Sequence, residues 1–91
     1  MANQGIVSAR AGRYKEALDL CEQALNLKED EAGHYGKACC HALQSHDELA
    51  IEALRRAIEY APRHCRVEAK YNPDFDRLRQ NEQFQALINN L

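Results

Sequence analysis

From Tyr14 onwards, apolar side chains recur at Tyr14, Ala17, Leu18, Cys21, Ala24 and Leu25. Spacings of three and four residues place them in one stripe along an α-helix. Gly12 offers a turn before this helix, and an earlier helix is expected over about residues 2–11. The charged run Lys28-Glu29-Asp30-Glu31 reads as an exposed turn, with Gly33 just inside the next helix. Over residues 33–44, Tyr35, Ala38, Cys39 and Ala42 fall at i, i+3, i+4 and i+7. Ser45 and Glu48 have the spacing of a capping box, in which each side chain satisfies a free backbone donor at a helix start. A helix over about residues 47–60 should turn Leu49, Ala50, Ala53, Leu54, Ala57 and Ile58 inward. Its outward Glu52 and Arg56 stand at the spacing of an i,i+4 ion pair, and Pro62 closes it.

The tail has a different pattern. "RHCRVEAKY" suits a short helix but runs into Asn72-Pro73 after two turns. Proline lacks the amide hydrogen that a helix interior uses, yet it suits a first helical position behind an Asn cap. A new short turn is therefore expected there, inserting Phe75 and Leu78. Asn81 is the expected cap of a last helix with Phe84, Leu87, Ile88 and Leu91 on its apolar side.

The helices echo one another. Ala17, Cys21, Ala24 and Leu27 are each followed 33 residues later by Ala50, Leu54, Ala57 and Tyr60. Gly5, Gly12, Tyr14, Ala17, Ala24 and Leu27 in one unit, and Tyr35, Ala38, Ala42, Ala50, Leu54, Ala57 and Pro62 in the next, resemble the tetratricopeptide repeat. Small residues at such sites let antiparallel helices approach closely while larger neighbours fill the gaps. The second unit lacks the usual glycine between its helices and is one residue short there. "NPDFDRLRQNEQFQALI" is similar to the segment that closes many bacterial arrays of this type. The resemblance implies an all-α fold, with antiparallel helix pairs stacked as a short right-handed superhelix. One domain over residues 1–91 would hold a first repeat at 1–31, a second at 32–62, and a truncated repeat with capping helices at 63–91. The last repeat of such a stack needs a lid, and Phe75, Leu78, Phe84, Leu87 and Ile88 would form its inner face.

Composition narrows the function. The chain has 91 residues, enough for one modest core, and is 45% hydrophobic and 29% charged. Apolar runs are far short of the ~20 residues that cross a bilayer, so no membrane partner is expected. The start of the sequence shows neither the basic residues nor the apolar stretch of a signal peptide, which makes cytoplasm the expected location. A net charge of -2, spread evenly over both halves, supplies no basic field for nucleic acid.

Candidate chemistry is sparse. Cys21, Cys39, Cys40 and Cys65 contain no C-x-x-C pair, and adjacent Cys39 and Cys40 must lie on different faces of a helix. They read as packing or surface thiols, and no zinc site with His34, His41, His46 or His64 has ligand-pair spacing. His34 and His46 lie near turns and read as caps or exposed groups. Cys40–His41 and His64–Cys65 diverge by ~100° on a helix and make no dyad by adjacency. Asp74 and Asp76 suit the positive end of a short helix. No phosphate loop or metal-helix motif is present, so no catalytic residue, metal or cofactor is expected.

The remaining class is recognition. In the tetratricopeptide family the first helix of each pair lines a groove that holds an extended peptide or a partner helix. Carried over residue by residue, the resemblance implies a partner-binding groove of Ile6, Arg10, Cys40, Leu43, Gln44, Arg66 and Lys70. Its apolar floor and basic rim would suit an acidic protein or peptide segment with one or two apolar anchors. The alternative from another class is a metal-binding or redox-responsive helical protein using cysteine and histidine. Ile6 and Val7 fall on adjacent sides of the first helix, and a weak homodimer through that end, or a place in a longer array, is a further expectation.

Overall fold

The computed structural model describes residues 13–89. The helix expected over residues 2–11, with Ile6 and Arg10, lies outside the described residues, as does Leu91. The described chain forms α1 (Tyr14–Leu27), α2 (Glu31–Leu43), α3 (Asp47–Tyr60) and α4 (Pro62–Tyr71). A 3₁₀ helix (Pro73–Leu78) and α5 (Glu82–Asn89) complete it, and no strand occurs among the described residues. The fold is all-α. Its most extensive contact joins α2 to α3; α1 lies on α2, α4 on α3, the 3₁₀ helix on α2, and α5 on α4 and α3.

Local chemistry sets most of the boundaries. Asp30 caps α2, its Oδ1 accepting from the amides of Ala32 at 3.1 Å and Gly33 at 3.3 Å. Such a cap is worth about 0.5–2 kcal/mol relative to alanine. Pro62 occupies the first position of α4, where its missing amide hydrogen costs nothing. Asn72 Oδ1 accepts from the Asp74 amide at 2.9 Å and starts the 3₁₀ helix. Asn81 Oδ1 accepts from Gln83 at 2.8 Å and Phe84 at 3.1 Å, starting α5. Both asparagine caps stand where the sequence predicts them.

The capping box at Ser45 does not form. α3 begins later, with His46 at the cap position and no side-chain bond to the helix amides. Ser45 instead ends α2: its φ is 67°, in the left-handed region. Its amide donates to Ala42 O at 3.1 Å, and the His46 amide donates to His41 O at 2.9 Å. This pair of bonds is a Schellman ending, a position usually held by glycine. Serine therefore takes the conformation that the absent glycine would have adopted freely.

The larger core lies on one side of α2. Ala38, Cys39 and Ala42 pack with Ala50, Leu54, Ala57, Ile58, Cys65, Ala69, Phe75, Leu78 and Phe84. Tyr35, Phe75 and Phe84 form an aromatic ladder, edge-on at 5.8 Å and then tilted at 5.6 Å between ring centres. Each such pair adds about 0.5–1.5 kcal/mol beyond its buried area. The other side of α2 holds a smaller group, in which Ala17 and Cys40 are buried with Tyr14, Leu18 and Leu43 around them. There Gly33 approaches α1 so closely that a Cβ would stand 2.6 Å from Leu25 Cδ2.

Three expectations on the helix faces change. Leu49 is 54% exposed, because the buried stripe of α3 runs through Ile51, Leu54 and Ile58. Leu49 shares its helix face with Glu52 and Arg56 on the solvent side. Glu52 pairs with Arg55 rather than Arg56, and Arg56 lies 3.8 Å from Glu59. Ala17, Ala50 and Ala57 are fully buried, whereas Ala24 is half-buried, the close approach to α2 being made by its neighbour Leu25.

Candidate functional site

Cys40 comes from the middle of α2 and has no exposed surface. Its thiol lies 3.5 Å from Tyr14 O, against α1. The sequence reading placed it on an open groove; its face of the helix is instead covered by α1. Leu43 and Gln44, at the end of α2, are half-buried, and Gln44 Nε2 donates back to Cys40 O at 3.4 Å. Arg66 comes from α4 and is tied to α5: its Nε donates to Leu87 O at 2.9 Å, satisfying a carbonyl near the end of that helix. Lys70 is exposed, one turn further along α4.

α4 meets α2 through Asn72, whose Nδ2 donates to Tyr35 Oη at 2.9 Å and lies 3.7 Å from Cys39 Sγ. Tyr35 is eight residues before Leu43. Along a helix that is about 12 Å, so Leu43 and Lys70 belong to separate parts of the surface. Arg79 holds the corner below Asn72. Its guanidinium donates to Asn72 O at 2.9 Å, to Lys70 O, and to Asp76 Oδ1 at 3.0 Å. The result is a fixed junction between the end of α4 and the body of the protein.

The sequence reading singled out Arg66 and Lys70 of α4 but not the apolar residues beside them, Val67 and Tyr71. Val67 is 54% exposed and Tyr71 73%, one turn apart, beside Arg66 and Lys70 at the same spacing. Lys70 Nζ lies 5.9 Å from the centre of the Tyr71 ring, within cation–π range. A second concavity, also missed, opens between α3 and α5. It encloses about 420 Å³ and is lined by Glu48, Ile51, Glu52, Arg55, Gln83, Ala86 and Leu87. The i, i+3, i+4 spacing within each stripe is visible in the sequence, but the pairing of these two helices is a tertiary fact.

All four cysteines are buried, and none is joined in a disulfide. Burial is the main cause that pushes the thiols of Cys21 and Cys65 up to about 11, and it also raises Cys40. The Cys65 thiol donates to Ala57 O at 3.5 Å. A thiol held protonated and walled off is a poor nucleophile and a poor metal ligand. His34 is buried rather than exposed: it stacks on Tyr60 at 5.7 Å between ring centres and meets Glu29 Oε1 at 3.2 Å. His64 is exposed beside the buried Cys65. Among the described residues no group of three or more His, Cys, Asp or Glu side chains is placed to hold a metal ion. Nor is any described helix long and apolar enough to cross a membrane.

Comparison with known proteins is brief. No family model matches the chain. No solved structure matches it significantly. Among curated proteins it is similar to a chloroplastic protein of Arabidopsis thaliana, at 26% identity over 89 residues. That stretch is 93% of this chain but 26% of the length of the plant protein.

Proposed function

We propose that this chain is a tetratricopeptide-like helical module that binds a partner segment without catalysing a reaction. The observation that carries this reading is the 33-residue register between α1 and α3. Tyr14–Leu27 and Asp47–Tyr60 have the same length and start and end 33 residues apart. Three of the four echoed pairs share their environment: Ala17 and Ala50, and Cys21 and Leu54, are fully buried, while Leu27 and Tyr60 are exposed at 73% and 47%; Ala24 is half-buried where Ala57 is fully buried. A helix that recurs with the same buried and exposed faces is what a stacked repeat requires.

The surface that best suits a partner is the outer face of α4, with Val67 and Tyr71 as the apolar contact and Lys70 as the charged one. Arg66 is less free to reach a partner than the sequence implies, because its Nε is engaged by Leu87 O. Tyrosine beside a cation offers large contact area at small entropic cost, which fits a short acidic segment carrying an apolar anchor. Leu43 and Gln44 would belong to a neighbouring contact rather than to the same strip.

The test is fluorescence anisotropy with short acidic peptides bearing one Leu or Phe anchor, against matched basic peptides. The acidic set should bind preferentially, and Lys70→Glu and Tyr71→Glu should each weaken binding at least tenfold with the thermal midpoint unchanged. Equal binding of both peptide sets, or affinities unaffected by either substitution, would remove this surface from consideration.

A further inference from the structure

The turn between α2 and α3 brings two histidines together. His41 lies in the last turn of α2, and His46 is the residue that leads into α3. The left-handed Ser45 reverses the chain between them, so residues five apart face each other. Their Nδ1 atoms are 3.4 Å apart, with ring centres at 5.6 Å and planes tilted by 42°. At that separation one neutral ring can donate a hydrogen bond from Nδ1 to the other, according to the tautomer. The separation also matches another arrangement: two nitrogens on one tetrahedral ion stand roughly 3.3–3.4 Å apart when metal–nitrogen bonds are about 2.0–2.1 Å.

We propose that His41 and His46 form a two-histidine site for a divalent transition-metal ion, which binds both Nδ1 atoms and clamps the α2–α3 turn. Three features of the surroundings favour a cation. The site sits at the carbonyl end of α2, where the helix dipole is negative. The next residue, Asp47, has a carboxylate oxygen that is buried without a hydrogen-bond partner among the described residues. The like charge of Lys37 is partly offset by its ion pair with Glu22, Nζ lying 2.7 Å from Oε1.

With two protein nitrogens the ion keeps open positions for water or another ligand, unlike a closed structural zinc site. Affinity should follow the usual order for imidazole sites, with copper above nickel and zinc. Nickel and zinc are the practical probes, since neither oxidises thiols. Titration calorimetry on the untagged, metal-free chain should show one equivalent of Ni²⁺ or Zn²⁺ bound. His41→Ala and His46→Ala should each weaken it at least tenfold, and His64→Ala should leave it unchanged. Metal should raise the thermal midpoint of the wild type and of His64→Ala but not of the other two. In the wild type, nitrogen-detected NMR should move the Nδ1 signals of His41 and His46, a readout that needs no variant. No binding at millimolar metal, equal affinity in His46→Ala, or shifts confined to His34 and His64 would overturn the site.

Discussion

The two sides of α2 are packed by different chemistry, and adjacent cysteines mark the divide. Cys39 faces a core of Leu54, Phe75, Leu78 and Phe84, whereas among the described residues Cys40 packs with Ala17, and with Tyr14, Leu18 and Leu43 half-covered. The first side has an aromatic ladder, an asparagine hinge and a lid tied down by Arg66 and Arg79. The second relies on close approach, with Gly33 against Leu25, and on one ion pair between Lys37 and Glu22. Both sides use small residues, yet among the described residues one side alone fills the space they leave with large, fully buried side chains. Stability should therefore be uneven, with α1 opening at lower cost than the α2–α3–lid body.

The strongest way to sharpen this contrast is Phe75→Ala. Removing a fully buried aromatic ring that touches both Tyr35 and Phe84 should cost about 3–5 kcal/mol and unfold the body cooperatively. Chemical denaturation measures the cost. Native-state hydrogen exchange adds the comparison: α1 amides should exchange by local opening in the wild type, while those of α3 wait for global unfolding. Equal protection of α1 and α3 would break the contrast.

A smaller effect is expected from alkali, and it acts on both sides. The thiols of Cys21 and Cys65 ionise at about 11 when folded, against the ordinary 9.0. Unfolded thiols thus lose their protons first as pH rises. The unfolded state binds fewer protons across this window, so stability present below pH 9 falls progressively up to about 11. Tyr35, whose phenol is pushed up by burial, adds to the loss above pH 10. Urea midpoints measured in steps from pH 8 to 11 should decline, and Cys21→Ala should reduce the slope by removing the thiol on the α1 side. A flat wild-type profile would contradict the burial argument.

The smallest effect is a gain. Ser45→Gly relieves a left-handed residue whose backbone bonds stay in place, and should stabilise by about 0.5–1 kcal/mol. The gain belongs to the α2–α3 hairpin, so exchange protection should rise in α3 and stay unchanged in α1. A loss of stability would show that the serine side chain contributes more than its strained backbone costs.

The α-helical class, the stripe of α1, the asparagine caps and the insertion of Phe75 and Leu78 were legible because each depends on neighbours in sequence. Periodicity locates a buried face, and a short polar side chain before a helix locates its start. That Cys39 and Cys40 serve different faces also follows from helix geometry alone. The candidate site was much less legible. Cys40 lies on a predictable face, but that it meets α1 instead of solvent depends on how two helices dock. Arg66 reads as a free basic residue until the end of α5 arrives beside it. Leu49 and Ile51 compete for the edge of the α3 stripe, and only the position of α5 and the lid decides for Ile51. The bounds of α3 were legible but its cap was not: the serine signal is local, and the preceding helix claimed Ser45 for its own ending. The pairing of His41 with His46 exists only because that turn is left-handed. Sequence by itself determined the helices and most of their caps, because those rest on bonds and contacts within a few residues. The tertiary structure decided which exposed groups remain free, since exposure depends on what else folds against a face.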